Sequence, residues 1–285
     1  MIKGPISCPN CRRKIDYWRP NCQCGHFVGY PNRRAAEAER EKLAARYEKA
    51  RQDAIQRGVA STLLTDLERL AEGGQPVIDM RAAVCDNLLR GGKYRNYDQR
   101  VESGERAPAA AQDHGDREMV GERLFPMYSQ HIIFAALSPN GRGTTTYGGE
   151  VWMTWGTPFL VERWMSLIEE NSYTFFEQHE LGRLGAEVPW GYRAVWEDRA
   201  KLAVAKLGPL LTSATVPNDL NGLLLQASPT RAEDRFIEVH IYAEGGLDAR
   251  EVDHVAFQHV PATLDEMQLW AQIQDNCAKL RIRVG

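Results

Sequence analysis

The sequence predicts an α+β protein in three parts: a cysteine-rich module over residues 1–30, a helical arm or hairpin over 31–74, and a mixed α+β body over 75–285. Three observations predict it. Four of the six cysteines crowd into the first 24 residues, a long Ala/Glu/Arg/Lys run without internal Gly or Pro follows them, and from about Gln75 strand and helix signals alternate without repeats. Hydrophobic content of 43% and charged content of 26% exclude a wholly disordered chain.

The module comes first. Its sequence, CPNCRRKIDYWRPNCQCGHFVGYPN, has too few aliphatic residues for a core of its own, so it needs a metal to fold. Cys8-Pro-Asn-Cys11 is the Cys-x-x-Cys turn that presents two thiolates to one ion. Cys22-Gln-Cys24 is one residue tighter, and Gly25 can relieve the strain of its turn. Cys8, Cys11, Cys22 and Cys24 therefore predict a structural Zn2+ site of the zinc-ribbon kind, with His26 as a substitute ligand. Four ligands close the coordination sphere, which excludes catalytic zinc. Cys85 and Cys277 stand alone on apolar helical patterns and read as buried hydrophobes.

In the arm, Ala36, Leu43, Tyr47, Ala50 and Ala54 form a narrow helical stripe that packs on one neighbour. Gly58 breaks that helix, Ser61 is placed to cap the next, and Leu63, Leu67 and Leu70 line its face up to Gly73–Gly74. The first 60 residues carry 13 Lys/Arg against 6 Asp/Glu, while the remainder carries 22 against 32. A basic front on an acidic body meets either a partner, protein or nucleic acid, or the body itself. Arg12, Arg13, Lys14 and Arg19 with Tyr17 and Trp18 suit phosphate contact and base stacking; the two aromatics equally suit docking on the body.

In the body, a helix is expected over Arg81 to Leu89, then an exposed loop to about Asp116. HIIFAAL and GEVWMTW read as strands, LVERWMSLIEE as a helix, the NSYTFFEQH segment as an aromatic strand, and GYRAVWEDRAKLAVAKLGPLL as a longer helix. RFIEVHIY is the clearest strand, and Thr263 opens a C-terminal helix. No apolar run approaches the roughly 18 residues of a membrane span, and no apolar leader precedes Cys8, so a cytoplasmic protein without membrane partners is expected.

The chain lacks GxxxxGK[ST], a strand-linked GxGxxG, GxSxG and HExxH, which disfavours the usual NTPase, dehydrogenase, α/β-hydrolase and zincin chemistries. Two segments carry chemistry instead. In RFIEVHIY, period-two alternation puts Ile237, Val239 and Ile241 on one face and Phe236, Glu238, His240 and Tyr242 on the other. A carboxylate beside an imidazole there either faces solvent or lines a cleft, where it suits acid–base or cation-stabilising work. Around TTTYGGEVWMTW and LVERWMSLIEENSY gather Tyr147, Gly148, Gly149, Arg163, Ser166, Asn171 and Ser172, with Arg163 and Ser166 sharing a helical face.

At these residues the body resembles bacterial proteins and toxin domains of the ADP-ribosyltransferase group. The matching elements are Lys93-Tyr94-Arg95-Asn96-Tyr97, Ser103-Gly104-Glu105, the IIFAAL strand, Tyr147-Gly148, Arg163-x-x-Ser166, Asn171-Ser172 and Ile237-Glu238-Val239-His240. Module, arm and body together resemble bacterial zinc-ribbon proteins. The resemblance implies an ADP-ribosyltransferase-like fold with NAD as substrate, Glu238 stabilising an oxocarbenium-like transition state, and Arg163 on pyrophosphate or ribose. It further implies Tyr147 stacked on nicotinamide, Ser166 or Ser172 bracing Glu238, and Asn171 and His240 completing the site. No Ser-Thr-Ser triplet precedes Glu238, and Phe236 stands where a second acidic residue would be, which argues against arginine as the acceptor. Two other functions fit the residues. One is a non-enzymatic zinc-ribbon recognition or adaptor protein. The other is a metal-independent RNase using His240, Glu238 and Arg163, with His131, His179, His254 or His259 as a second acid–base group.

Overall fold

The computed structural model describes residues 4–147, 149–156, 164–228, 230 and 233–285. The module opens with a two-stranded hairpin, β1 (Ile6–Ser7) and β2 (Lys14–Ile15). The helix α1 (Pro31–Ala38) follows, with Pro31 at its first position, where no helical N–H is needed. A break at Glu39 separates α1 from α2 (Arg40–Gln56); α3 (Ser61–Gly73) follows, its Glu68 bonded to Tyr47 and Arg51 of α2, and both helices pack on the helix Arg199–Leu207. The expected stripe is the buried one: Ala36, Leu43, Ala50 and Ala54 are buried, Tyr47 partly so, and Leu63 and Leu67 likewise face the core. Ser61 does not cap α3. Ala60 takes that position without a side-chain bond, because the helix already begins at Ser61.

The body supplies β3 (Gln75–Met80), α4 (Ala82–Leu89), α5 (Tyr97–Glu102), α6 (Ala111–Leu124), β4 (Ile132–Ser138), β5 (Val151–Trp155), β6 (Met165–Ile168) and α7 (Ser172–Gln178). It continues with β7 (Arg193–Val195), α8 (Arg199–Leu207), α9 (Leu220–Leu224), β8 (Leu225–Gln226), β9 (Arg235–Phe236), β10 (Glu238–Tyr242), β11 (Val252–Phe257), α10 (Leu264–Leu280) and β12 (Arg283–Val284). Among the described residues the central sheet runs β12-β11-β5-β3-β4-β10-β6-β7, antiparallel except for the β11–β12 pair. The protein is thus a mixed α+β structure around one mixed sheet. No described helix is long and apolar enough to cross a membrane.

Four further expectations change. LVERWMSLIEE is no helix at its centre: Met165–Ile168 is a strand paired on both sides, with β10 and β7. Ser166 therefore lies on a sheet, and Arg163 lies outside the described residues. The aromatic run after Asn171 is the helix α7, because the Asn171 side chain accepts the amides of Tyr173 and Thr174 as an N-cap. The long helix expected from Gly191 begins only at Arg199, since Arg193–Val195 pairs with β6. The loop expected to Asp116 contains the helix α5, capped by the Asn96 side chain, and ends where α6 starts at Ala111; the strand β3 has no counterpart in the expected elements.

One face of the sheet is apolar. Ile78, Met80, Ile133, Ala135, Leu137, Met153, Trp155, Leu167, Val239 and Ile241 join one core with residues of α2, α3, α4, α8, α9 and α10. The register puts Glu238 opposite Ala136 and Ile168, and His240 opposite Phe134 and Ser166, on the other face. A second core covers part of that face: Val120 and Leu124 of α6, Phe125, Tyr128, and Phe175 and Phe176 of α7 pack on Ile132, Ile168 and Tyr242. Tyr17, Trp18 and Tyr30 pack on this second core, and Tyr17 Oη donates to the Pro126 carbonyl.

The basic front and the acidic body meet each other. Arg33 pairs with Glu197, Arg40 with Asp198 and Arg46 with Glu169. In the opposite sense, Glu39, buried at the helix break, accepts the amides of Gly191, Tyr192 and Arg193 and pairs with the Arg193 guanidinium. Such bonds to a buried carboxylate anchor α1 and α2 more firmly than the exposed pairs do.

Candidate functional site

The four cysteines come together. Their sulfurs all lie within 4.8 Å of one another, with Cys8–Cys24 at 3.7 Å and Cys11–Cys22 at 3.5 Å. Four sulfurs each about 2.3 Å from a zinc ion stand about 3.8 Å apart, so the cluster has the size and the donor set for zinc. Two tight turns build it. Arg12, in the left-handed region at φ 61°, donates its amide to the Cys8 carbonyl, and Cys8 N donates to Arg13 O. At the second turn Gly25 takes φ +83° and its amide reaches Cys22 O, so the expected relief by glycine is the observed one. His26 is outside the sulfur cluster; its carbonyl accepts the Cys22 amide.

The second site is a buried carboxylate. Glu238 is 3% exposed and His240 1%, so neither faces solvent. Glu238 Oε1 accepts the Ser172 amide at 3.1 Å, the Ser172 hydroxyl, and His240 Nε2 at 2.8 Å. Glu238 Oε2 accepts Asn171 Nδ2 at 3.0 Å, and the same nitrogen lies 3.4 Å from Tyr147 Oη. Because Asn171 caps α7, Ser172 follows at the first helical position with an amide that the helix leaves free, and that amide points at the carboxylate. An ionised carboxylate only accepts, so the facing His240 Nε2 carries hydrogen. Burial holds the His240 pKa below its ordinary value against the upward pull of Glu238, favouring a neutral ring. Phe125 and Phe134 stand edge-on to that ring, with centroids at 4.6 and 5.6 Å.

Of the residues expected at the site, Tyr147, Asn171, Ser172 and His240 gather at Glu238. Ser166 does not. It is buried opposite His240 in β6, and its hydroxyl accepts Asn32 Nδ2 at 3.2 Å. Arg163 and Gly148 lie outside the described residues. The Tyr94–Tyr97 segment lies toward the far end of β10: Tyr94 pairs with Leu247 and Gln99 donates to Glu244 O. Sequence reasoning missed Asn32, more than 130 positions from its partners, and it missed Phe125 and Phe134 as the walls of the imidazole. Nothing local in the sequence marks any of the three.

No hydrogen bond to Glu238 from His131, His179, His254 or His259 occurs among the described residues. His179 packs on Phe175 and Tyr192, His131 on Tyr242, and His259 on Trp270.

In comparison with known proteins, no family model matches the chain, and no curated protein matches it in sequence.

Proposed function

We propose that the protein is an NAD-consuming ADP-ribosyltransferase-like enzyme with Glu238 as its catalytic carboxylate and a structural zinc ion held by Cys8, Cys11, Cys22 and Cys24. One observation carries the reading: a buried carboxylate preorganised by Ser172, Asn171 and His240, with the half-exposed ring of Tyr147 beside it. Oε1 is taken by three donors, so Oε2 is the oxygen with capacity left for a substrate. In the reaction the bond from ribose C1′ to the nicotinamide nitrogen breaks, and both electrons leave with the nicotinamide. The positive charge left on the ribose is offset by Glu238, which need not reorganise because its donors already fix it. An acceptor nucleophile then bonds to C1′ and its proton passes to solvent. In this reading Tyr147 stacks on the nicotinamide, and Arg163 binds the pyrophosphate or the ribose.

Purified protein incubated in lysate with NAD labelled on the adenylate moiety, with and without RNase, tests this. Label should pass to protein or nucleic acid and disappear with Glu238→Ala. Absence of NAD binding by calorimetry in the folded wild-type protein contradicts it.

A second reading rests on different residues. Arg12, Arg13 and Lys14 are exposed and make no ion pair among the described residues, whereas Arg33, Arg40 and Arg46 of the arm are engaged with the body. They fit the module as a docking surface for nucleic acid. Retardation of RNA or DNA that weakens with salt and with Arg12/Arg13→Ala supports it, and salt-insensitive or absent retardation counts against it.

A further inference from the structure

The cysteine module and the carboxylate cluster are joined by a short, continuous set of contacts. The last backbone bond of the module is Val28 N to Pro20 O, and Asn32 follows four residues later on α1. Arg34 gathers the module from the other side: its guanidinium donates to the carbonyls of Tyr17, Arg19, Val28 and Gly29. Between them Tyr30 packs on Phe27 of the module at 4.9 Å and on Tyr242 of β10 at 5.0 Å. The N-terminus of α1 is therefore placed by how the module folds.

Asn32 carries that placement into the sheet. It is 2% exposed, and its Nδ2 donates to Trp164 O at 2.8 Å, His240 O at 3.1 Å and Ser166 Oγ at 3.2 Å. One amide group thus ties β6 and β10 together at the register position where Ser166 faces His240. His240 in turn donates to Glu238 through its ring. Asn32 Oδ1 is buried and accepts no hydrogen bond from the described residues.

We infer that Asn32 is a positioning residue that links the metal-bound fold of the cysteine module to the placement of the His240–Glu238 pair, the catalytic role of that pair resting on the function proposed above. The linkage is reciprocal. A module that holds Asn32 in place steadies the imidazole, and an intact Asn32 contact raises the module's affinity for zinc by the same factor. The module then acts as a brace for the reactive centre as well as a staple for its own turn.

The test uses the full-length protein and reads two quantities that need no NAD. Zinc affinity is measured by competition with a chromogenic chelator, and the His240 imidazole is followed by NMR, assigned through His240→Gln. In the wild-type protein, withdrawing zinc should shift the His240 resonances. Asn32→Asp, which keeps the shape and removes the donor, and Asn32→Ala should shift them with zinc still bound and weaken zinc about tenfold. Glu37→Ala, on the same helix, should do neither. If zinc withdrawal from the wild-type protein leaves the His240 resonances in place, the inference falls, whatever the variants do. It also falls if both folded Asn32 variants keep wild-type zinc affinity. Turnover separates this from the functional reading: the variants should lower kcat for nicotinamide release with KM little changed. Shifted resonances and weakened zinc in a protein that never cleaves NAD would uphold the coupling and remove the transferase.

Discussion

β10 presents Val239 and Ile241 to one side of the sheet and Glu238, His240 and Tyr242 to the other. All five are buried, yet the two sides meet different company. Val239 and Ile241 enter an apolar core shared by six helices, where neighbours are interchangeable in kind. Glu238 and His240 meet a few specific donors from Asn171, Ser172 and each other. The contrast teaches how one strand serves both fold and site. The apolar side gains by area buried, roughly 25 cal/mol per Å². The polar side recovers the cost of burying a charge only through its hydrogen bonds.

The comparison breaks most visibly if a charge is moved to the wrong side. Val239→Asp places a carboxylate among apolar neighbours with no donor, and it should destabilise the protein by at least about 4 kcal/mol, read by urea unfolding. Glu238→Gln is the complementary change. It keeps shape but sets an amide against the donors of Ser172 and His240, and it should cost about 1–3 kcal/mol while leaving a folded protein.

Neighbouring residues of β4 offer a finer contrast. Ile133→Ala, on the apolar side, should cost about 2–5 kcal/mol. Phe134→Ala, 40% exposed on the polar side, should cost about 1 kcal/mol and move the His240 NMR signals instead.

The smallest effect concerns pH. Burial holds the folded His240 pKa below the 6.5 of an unfolded chain. Between those two values the unfolded state binds more protons, so stability rises with pH there and is complete above about pH 6.5. As pH falls through the window that contribution is lost, at no more than about 1.4 kcal/mol per pH unit. His240→Gln should flatten the slope. A stability that instead rises on acidification would mean a charged imidazole paired with Glu238, and a polar side organised as an ion pair.

How much of this was legible in the sequence differs between the two sites. The cysteine cluster is local: spacing alone names all four thiols, and Gly25 marks the tighter turn. Alternation in RFIEVHIY separates Glu238 from Val239 correctly, but it cannot say that both sides are covered, because burial of the polar side depends on α6 and α7. The apolar residues of segment 165–168 fit a helical period as well as a strand. Pairing with β10 and β7 overrides that local preference. Around Asn171 the aromatic run suggested a strand, although Asn171-Ser172 is itself a helix-start signal, and that same cap aims the Ser172 amide at Glu238. Asn32 was invisible for a different reason. Its partners are far away in the chain, and its meaning arises only when α1 packs on β6 and β7 and the Asn32 side chain reaches the His240 carbonyl of β10.

The central claim is that the polar side of β10 is a reactive centre built on Glu238. Nicotinamide release from NAD, measured by chromatography for the zinc-loaded wild-type protein and for Glu238→Gln of verified fold, tests it most directly. The account predicts release by the wild-type protein and a loss of at least about a hundredfold in the variant, the scale of removing one preorganised electrostatic group. Equal release by both proteins would contradict it, as would no release by a folded wild-type protein given NAD and candidate acceptors.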